Sequence, residues 1–320
     1  MDEPGIKTEL KANSTANSKF GSFTDAELIT RLRSVESMFY TKRVFGDDDR
    51  FDLCQEINWP GPPDPAWACA KQYANSVAAL FRASDVLDNG DGTFTLRTET
   101  FKNRYHLCDG ERFENQPVGA FATAFLVGSN LIVTAGHCIA GDNAPKVGDI
   151  RVVFGYRMLN DTTAVTNILA ADVYTLDGNV PNTHFKYIKD VPGADWAVLS
   201  LSRVCRYKPL PLRRQGTINI NDKLFTMGHP SGLPLKIARN AQLTSDPHPA
   251  SFSASLDVFA GNSGGPVFNS NGIVEGIVSM GGRDFIFKMG TNCRISMVVP
   301  DKGTNGFVCT ATAAFSQLVP

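Results

Sequence analysis

Three short segments of this 320-residue chain carry the side chains of a nucleophilic reaction. Thr134-Ala135-Gly136-His137-Cys138 offers an imidazole. Gly193-Ala194-Asp195-Trp196-Ala197-Val198-Leu199-Ser200-Leu201 offers a carboxylate that runs straight into an apolar stretch. Gly261-Asn262-Ser263-Gly264-Gly265-Pro266-Val267-Phe268 offers a serine among glycines. A serine hydroxyl is a poor nucleophile at neutral pH. It needs an imidazole to take its proton, a buried carboxylate to orient that imidazole, and backbone N–H groups to hold the oxyanion. All these parts are present, in the chain order His, Asp, Ser. Asp172, Asp177 and Asp190 lie near Asp195 in sequence, but only Asp195 leads directly into an apolar strand, Trp196 to Leu201, that would bury one side of it.

Chain order also separates two kinds of enzyme. Gly261, Ser263 and Gly265 satisfy G-x-S-x-G, the nucleophile elbow of α/β-hydrolases, whose triad runs Ser, Asp/Glu, His. The five histidines are His106, His137, His184, His229 and His248, and none follows Ser263. An esterase of that type lacks its base here.

The composition is that of a globular protein: 42% hydrophobic and 20% charged, with a net charge of −1. That balance gives no electrostatic case for nucleic acid or an anionic membrane as partner. No 18-residue apolar run is present, so no transmembrane helix is expected, and Met1-Asp2-Glu3-Pro4-Gly5 does not read as a signal peptide. The seven cysteines (54, 69, 108, 138, 205, 293, 309) form no CxxC pair of the metal-binding type. Disulfides in a secreted or periplasmic protein are the better reading, with at least one thiol unpaired. Cys54 with Cys69, and Cys293 with Cys309, could close local loops. No metal and no cofactor is called for.

The elements that must position these residues follow from pattern. Residues 1–22 are polar and aperiodic and read as a disordered tail. Thr24-Asp25-Ala26-Glu27 is a capping box, and Leu28, Leu32, Val35 and Phe39 line one face of an amphipathic helix ending near Tyr40. A second helix is predicted over about 66–82. Asp88-Asn89-Gly90-Asp91-Gly92 joins two apolar segments as a hairpin turn, with too few downstream acids for a calcium loop. From about Phe113 short β-type runs predominate: 120–126, 130–134, 150–155, 196–201, 223–227, 266–268, 273–280 and 284–288. Short strands at turn-spaced intervals indicate an all-β barrel or sandwich.

The three motifs resemble those of the trypsin/chymotrypsin-like serine peptidases over about 113–315. Within that superfamily, Asn262 before the serine and the run Val44-Phe45-Gly46-Asp47-Asp48-Asp49-Arg50 resemble the bacterial glutamyl-endopeptidase-type branch. The resemblance implies an all-β core of two six-stranded antiparallel β-barrels, with the active site in the cleft between them, behind an N-terminal helical extension. The expected organisation is a 1–43 tail and helix, a 44–112 extension with a helix and a hairpin, a 113–205 barrel carrying His137 and Asp195, and a 206–320 barrel carrying Ser263. By the same resemblance His137 is general base then acid, Asp195 orients it, Ser263 is the nucleophile, and the N–H groups of Gly261 and Ser263 form the oxyanion hole. The expected function is a monomeric, cofactor-independent serine endopeptidase acting on peptides or proteins. A catalytically silent protease-fold binding protein is the rival.

Substrate recognition is carried over residue by residue. Ser279-Met280-Gly281 resembles the edge segment that family members pair with an extended substrate backbone. Asp257, six residues before Ser263, stands where trypsin-type members keep the carboxylate that binds Lys or Arg; the alternative is that it satisfies backbone donors of a loop. Val278 stands where glutamyl-specific members have a histidine, which argues against acidic substrates at that pocket. Asn262 replaces the Asp that pairs with the freed N-terminus in animal-type members, so that zymogen switch should be absent. Ala122 stands where the usual disulfide partner of Cys138 would be, leaving Cys138 free or paired elsewhere, with Cys108 one candidate. Lys42-Arg43 at a helix end suggests release of residues 1–43 as a prosegment, or a helix that simply packs on the barrel.

Overall fold

A computed structural model of the chain describes residues 44–58, 65–177, 184–220, 222–244, 249–280, 284–299 and 306–319. The chain divides into a unit spanning 1–41 and a unit spanning 42–320. The expected tail, the helix ending near Tyr40, the Lys42-Arg43 pair and Gly281 lie outside the described residues.

Two seven-stranded antiparallel sheets, each curled into a half-barrel, are the main elements among the described residues of the second unit, beside four smaller sheets. The first runs in the order Val173–Thr175, Ile150–Phe154, Val77–Arg82, Ala122–Leu126, Leu131–Thr134, Asp195–Ser200, His184–Tyr187. The second runs Ser251–Ala254, Phe307–Ala311, Val274–Met280, Pro266–Asn269, Lys223–Gly228, Lys236–Gln242, Arg50–Asp52. The expected six strands per barrel are therefore seven.

Side-chain alternation explains why these strands read as nearly continuous apolar runs. Successive residues of a strand point to opposite faces. Phe125, Val133 and Val198 face a core shared with Phe225, Met227, Phe268 and Ile277 of the second sheet. Their neighbours Ala124, Leu126, Ile132, Ala197 and Leu199 face the interior of the first half-barrel, and Leu224, Val267 and Val278 face that of the second. Both faces are buried, so no polar alternation remains to be seen. In the shared core Phe268 stacks on Phe225 with ring centroids 4.8 Å apart.

The region before Phe113 departs from expectation. The predicted 66–82 helix stops at Tyr73, and Val77–Arg82 is a strand. Val77 to Phe81 are buried throughout, and the strand pairs with Ala122–Leu126 on one side and Ile150–Phe154 on the other. A five-residue apolar run with neither helical nor alternating period is the pattern that periodicity cannot assign. The first sheet thus starts at Val77 rather than near 113. The 88–92 turn does join an antiparallel pair, Val86–Asp88 with Thr93–Leu96.

The chain's N-terminal described segment belongs to the second sheet. Arg50–Asp52 pairs with Lys236–Gln242, and Val44–Phe45 runs parallel to Val298–Val299. Lys236, fully buried, donates to Asp52 and to Gln116 Oε1 at 2.6 Å, while Gln116 Nε2 donates to Asp52 at 2.8 Å. Burial pulls the Lys236 pKa down to about 8, against the opposing pull of Asp52. A buried ammonium is tolerated here because every partner of the network is satisfied.

The cysteine pairing also differs from expectation. Cys108 is bonded to Cys293, and Cys54, Cys138, Cys205 and Cys309 are free thiols. The 54–69 and 293–309 loops are not closed: the true partners lie 185 residues apart and meet only because the 101–108 segment packs beside the 285–296 hairpin. Among the described residues no helix is long and apolar enough to cross a membrane, and no group of three or more His, Cys, Asp or Glu side chains is arranged to hold a metal.

Candidate active site

His137 opens a short helix, His137–Ala140, directly after the Leu131–Thr134 strand. Its backbone N–H donates to Asp195 Oδ1 and its Nδ1–H donates to Asp195 Oδ2, both at 2.8 Å. The two bonds fix ring and tautomer together: with the proton on Nδ1, Nε2 is left as an acceptor. Asp195 begins the next strand of the same sheet and is almost fully buried. Burial alone would raise its pKa, but hydrogen bonds from His137 and Ser279, with the charge of the imidazole, hold the carboxyl below its ordinary value. Burial likewise disfavours the imidazolium. The neighbouring Cys138 sulfur and the Asp195 carboxylate outweigh it, so the His137 pKa is raised.

Ser279 arrives from the other sheet. Its Oγ donates to Asp195 Oδ2 at 2.6 Å and lies 3.2 Å from Thr310 Oγ1. Sequence reasoning placed Ser279 only in the substrate edge. Its hydroxyl also completes the carboxylate's shell, across 84 residues of chain that no local pattern spans. Met280 ends the same strand, so the backbone of the expected edge segment stands next to this shell.

Ser263 sits on a turn whose backbone is set by its neighbours. Its carbonyl accepts from Thr123 N at 3.0 Å and is approached by the Cys138 thiol at 3.9 Å, tying it to the sheet that holds His137. The thiol of Cys138 is thus free and buried, with no bond to Cys108. Ser263 Oγ makes no hydrogen bond to His137 in this structure. Gly261 has φ +96°, and a Cβ there would come within 2.4 Å of His229 O; Gly264 has φ +83°, and a Cβ there would meet Thr134 Oγ1 and Thr123 O. Only glycine adopts these angles in so little space. Neither Gly261 N nor Ser263 N donates to any described residue, whereas Asn262 N, Gly264 N and Gly265 N all do. The N–H groups of Gly261 and of Ser263 itself thus have no partner among the described residues.

A loop not anticipated from sequence supports this turn. His229-Pro230-Ser231-Gly232 packs under Gly261, and Ser231 N donates to Ala260 O. His229 is fully buried, stacks on Tyr156 with centroids 5.7 Å apart, and donates from Nδ1 to Leu233 O at 3.0 Å. Burial holds its pKa down, to about 3, so it stays neutral. The one available signal was a turn-forming tetrapeptide immediately after an apolar strand.

Asp257 lies buried against the 44–50 segment. Its Oδ1 accepts from Phe45 N at 2.7 Å and its Oδ2 from Asp49 N at 3.1 Å, so the carboxyl caps the N-terminal segment. Burial and the adjacent Asp49 charge push its pKa up to about 8. The second of the two readings of Asp257 is therefore the structural one. The sign of its effect on stability follows. Below the ordinary value of 3.8 the carboxyl is protonated folded and unfolded; between 3.8 and about 8 the unfolded chain ionises first, so stability falls as pH rises. Urea midpoints at pH 5 and pH 8 should show a smaller decrease for Asp257→Asn than for the parent. An unchanged decrease would remove Asp257 as its source.

Two curled antiparallel half-barrels with a His–Asp pair on one and a serine turn on the other define a trypsin-like serine peptidase fold. Residues 122–277, which include all three motifs, match the model of the trypsin-like peptidase domain, and this stretch belongs to the trypsin/chymotrypsin-like serine peptidase superfamily. No curated protein sequence matches the chain. Among solved structures it is similar to a Glu endopeptidase in complex with MPD (18% identity, 86% of this chain and 96% of that one, TM-score 0.45). It is also similar to the serine endoprotease from Yersinia pestis (14% identity, 80% of this chain and 66% of that one, TM-score 0.43). Both are distant likenesses, and the family assignment rests on the matched domain.

Proposed function

We propose that the protein is a serine endopeptidase working through an acyl-enzyme, with His137, Asp195 and Ser263 as its triad and Gly261 N and Ser263 N as its oxyanion hole. The observation that carries this reading is the doubly bonded His137–Asp195 pair together with a serine turn on which the N–H groups of Gly261 and Ser263 donate to no described residue. In the reaction His137 Nε2 takes the Ser263 proton as Oγ attacks the scissile carbonyl, and returns it to the leaving amine. Asp195 stabilises the imidazolium that forms between these steps. Each oxyanion donor contributes about 3–4 kcal/mol to the transition state. The missing Ser263–His137 bond is compatible with this, because such contacts often tighten only with substrate bound.

A preference for Lys or Arg rested on Asp257, whose carboxyl is occupied by backbone donors, and we do not carry it forward. The Cys108–Cys293 bond supports an oxidising compartment, secreted or periplasmic. Peptides or proteins are the substrates in this reading, taken up by a monomer along the Ser279-Met280 edge.

A fluorophosphonate probe tests the assignment. The expected result is a single adduct on Ser263, lost on prior denaturation, together with cleavage of an unstructured protein substrate. An unlabelled wild-type protein would favour the silent binding-protein reading.

A further inference from the structure

A cavity of about 550 Å³ begins at the candidate oxyanion turn: Ala260 and Gly261 form one end of it, and Ser231 and Gly232 part of its wall. None of its described lining residues comes from the Val274–Met280 strand. If the scissile carbonyl oxygen occupies the Gly261 and Ser263 N–H groups, the acyl part of the substrate runs along Ser279-Met280. The departing part then lies on the other side of Gly261, in this cavity. This placement rests on the proposed function and adds to it a preference on the leaving-group side.

The rest of the lining is charged and asymmetric. It carries Arg82, Arg97 and Arg104 against Asp85 and Glu99. Arg97 lies 3.8 Å from Asp85 and Arg104 lies 3.1 Å from Glu99, so two of the three guanidinium groups have carboxylate partners. Arg82 has none among the described residues. Its contacts are a long bond to Asn143 O at 3.4 Å and a cation–π approach to Phe121, another lining residue, at 5.8 Å. It projects from the end of a strand whose five preceding residues are buried, so its base is fixed while its head is exposed. Tyr105, also in the wall, donates its hydroxyl to Ser231 O at 3.1 Å and so ties the cavity to the loop beneath Gly261. A concave site with one surplus, uncommitted guanidinium suits a carboxylate, which its planar fork can bind through two parallel hydrogen bonds.

We propose that this cavity selects a carboxylate within the first two residues after the scissile bond, with Arg82 as its specificity-determining contact. The carboxylate can belong to an Asp or Glu side chain or to a free C-terminus.

Partitioning of an acetyl-enzyme tests this without reference to the acyl-side pocket. Ser263 Oγ displaces p-nitrophenolate from p-nitrophenyl acetate. The amine of an added dipeptide then attacks the acetyl carbon, the C–Oγ bond breaks, the amine proton passes through His137 to Oγ, and an N-acetyl dipeptide forms in competition with acetate. Gly-Glu amide and Glu-Gly amide present a side-chain carboxylate, free-acid Gly-Gln a C-terminal one, and Gly-Gln amide and Gly-Lys amide neither. At least one carboxylate-bearing nucleophile should be captured about two- to five-fold more than Gly-Gln amide, the range of an exposed ion pair. The preference should shrink in 1 M salt, where the Debye length is about 3 Å. Arg82→Glu should reverse it in favour of Gly-Lys amide, an outcome that misfolding cannot produce. Equal capture of all five nucleophiles by a competent acetyl-enzyme, or a preference that survives Arg82→Glu, overturns the proposal alone. Failure to form any acetyl-enzyme overturns the peptidase reading and this inference with it.

Discussion

Ser263→Ala should lower kcat for peptide hydrolysis by about a millionfold, the loss seen when a serine protease is deprived of its nucleophile. The size follows from division of labour. Without Oγ no acyl-enzyme can form, and what remains is water attack assisted by the two N–H groups of the turn and by substrate binding. Those together sustain roughly 10³–10⁴ over the uncatalysed rate. Stability should hardly change, because Ser263 Oγ makes no hydrogen bond to a described residue that would be stranded, and the turn is fixed by the Ser263 carbonyl and by Gly264 and Gly265 N–H. Steady-state kinetics and thermal unfolding of the same preparation check both halves. A variant that keeps more than about one percent of activity would place the nucleophile elsewhere.

Asp195→Asn should cost about 10⁴ in kcat, again with the fold intact. The carboxylate accepts three hydrogen bonds: His137 N at Oδ1, and His137 Nδ1 and Ser279 Oγ at Oδ2. An amide has one oxygen. If it faces Nδ1, the amide nitrogen opposes the backbone N–H of His137, and a buried donor confronts a donor. If it turns the other way, Nδ1 must accept, the ring proton moves to Nε2, and the base loses the lone pair needed for the serine proton. The variant also lacks the negative charge that helps raise the His137 pKa, so the acidic limb of its kcat/KM profile should move to lower pH. A full pH–rate profile reads both effects. Activity within tenfold of the parent at neutral pH would mean that Asp195 does not orient the base.

How much of this could be read from the chain varied with distance along it. The strands that bear His137, Asp195 and the Ser263 turn announce themselves locally: 131–134, 195–200 and 266–269 fall within a residue or two of the expected runs. Apolar runs bounded by turn residues carry that information in a window of ten residues. Asp257 could not be read this way, because its donors, Phe45 and Asp49, are 212 and 208 residues distant. Ser279 was assigned through its backbone, since nothing near it in sequence names Asp195 as its partner. The Val77–Arg82 strand was hidden by composition: two alanines, a leucine and a phenylalanine suit a helix until neighbouring strands supply edges on both sides. Seven strands replace six in the second sheet because a segment from the beginning of the chain joins it at the edge. The expected pairing of nearby cysteines failed for the same reason, since contact between 108 and 293 is a property of the packed molecule.

That edge strand has a consequence for synthesis. Arg50–Asp52 leaves the ribosome early, yet its pairing partner begins with Lys236, and Asp52 and Lys236 are 184 residues apart. At roughly 5–20 residues per second the early segment waits about 10–40 s for the strand that completes it. During that interval the first half-barrel can gather all seven of its strands, which lie between Val77 and Ser200. The second cannot close until Phe307–Ala311 has been made. The nascent protein therefore trails a short unpaired strand with a buried-type arginine and aspartate, and the second half-barrel is completed by a segment made before the first.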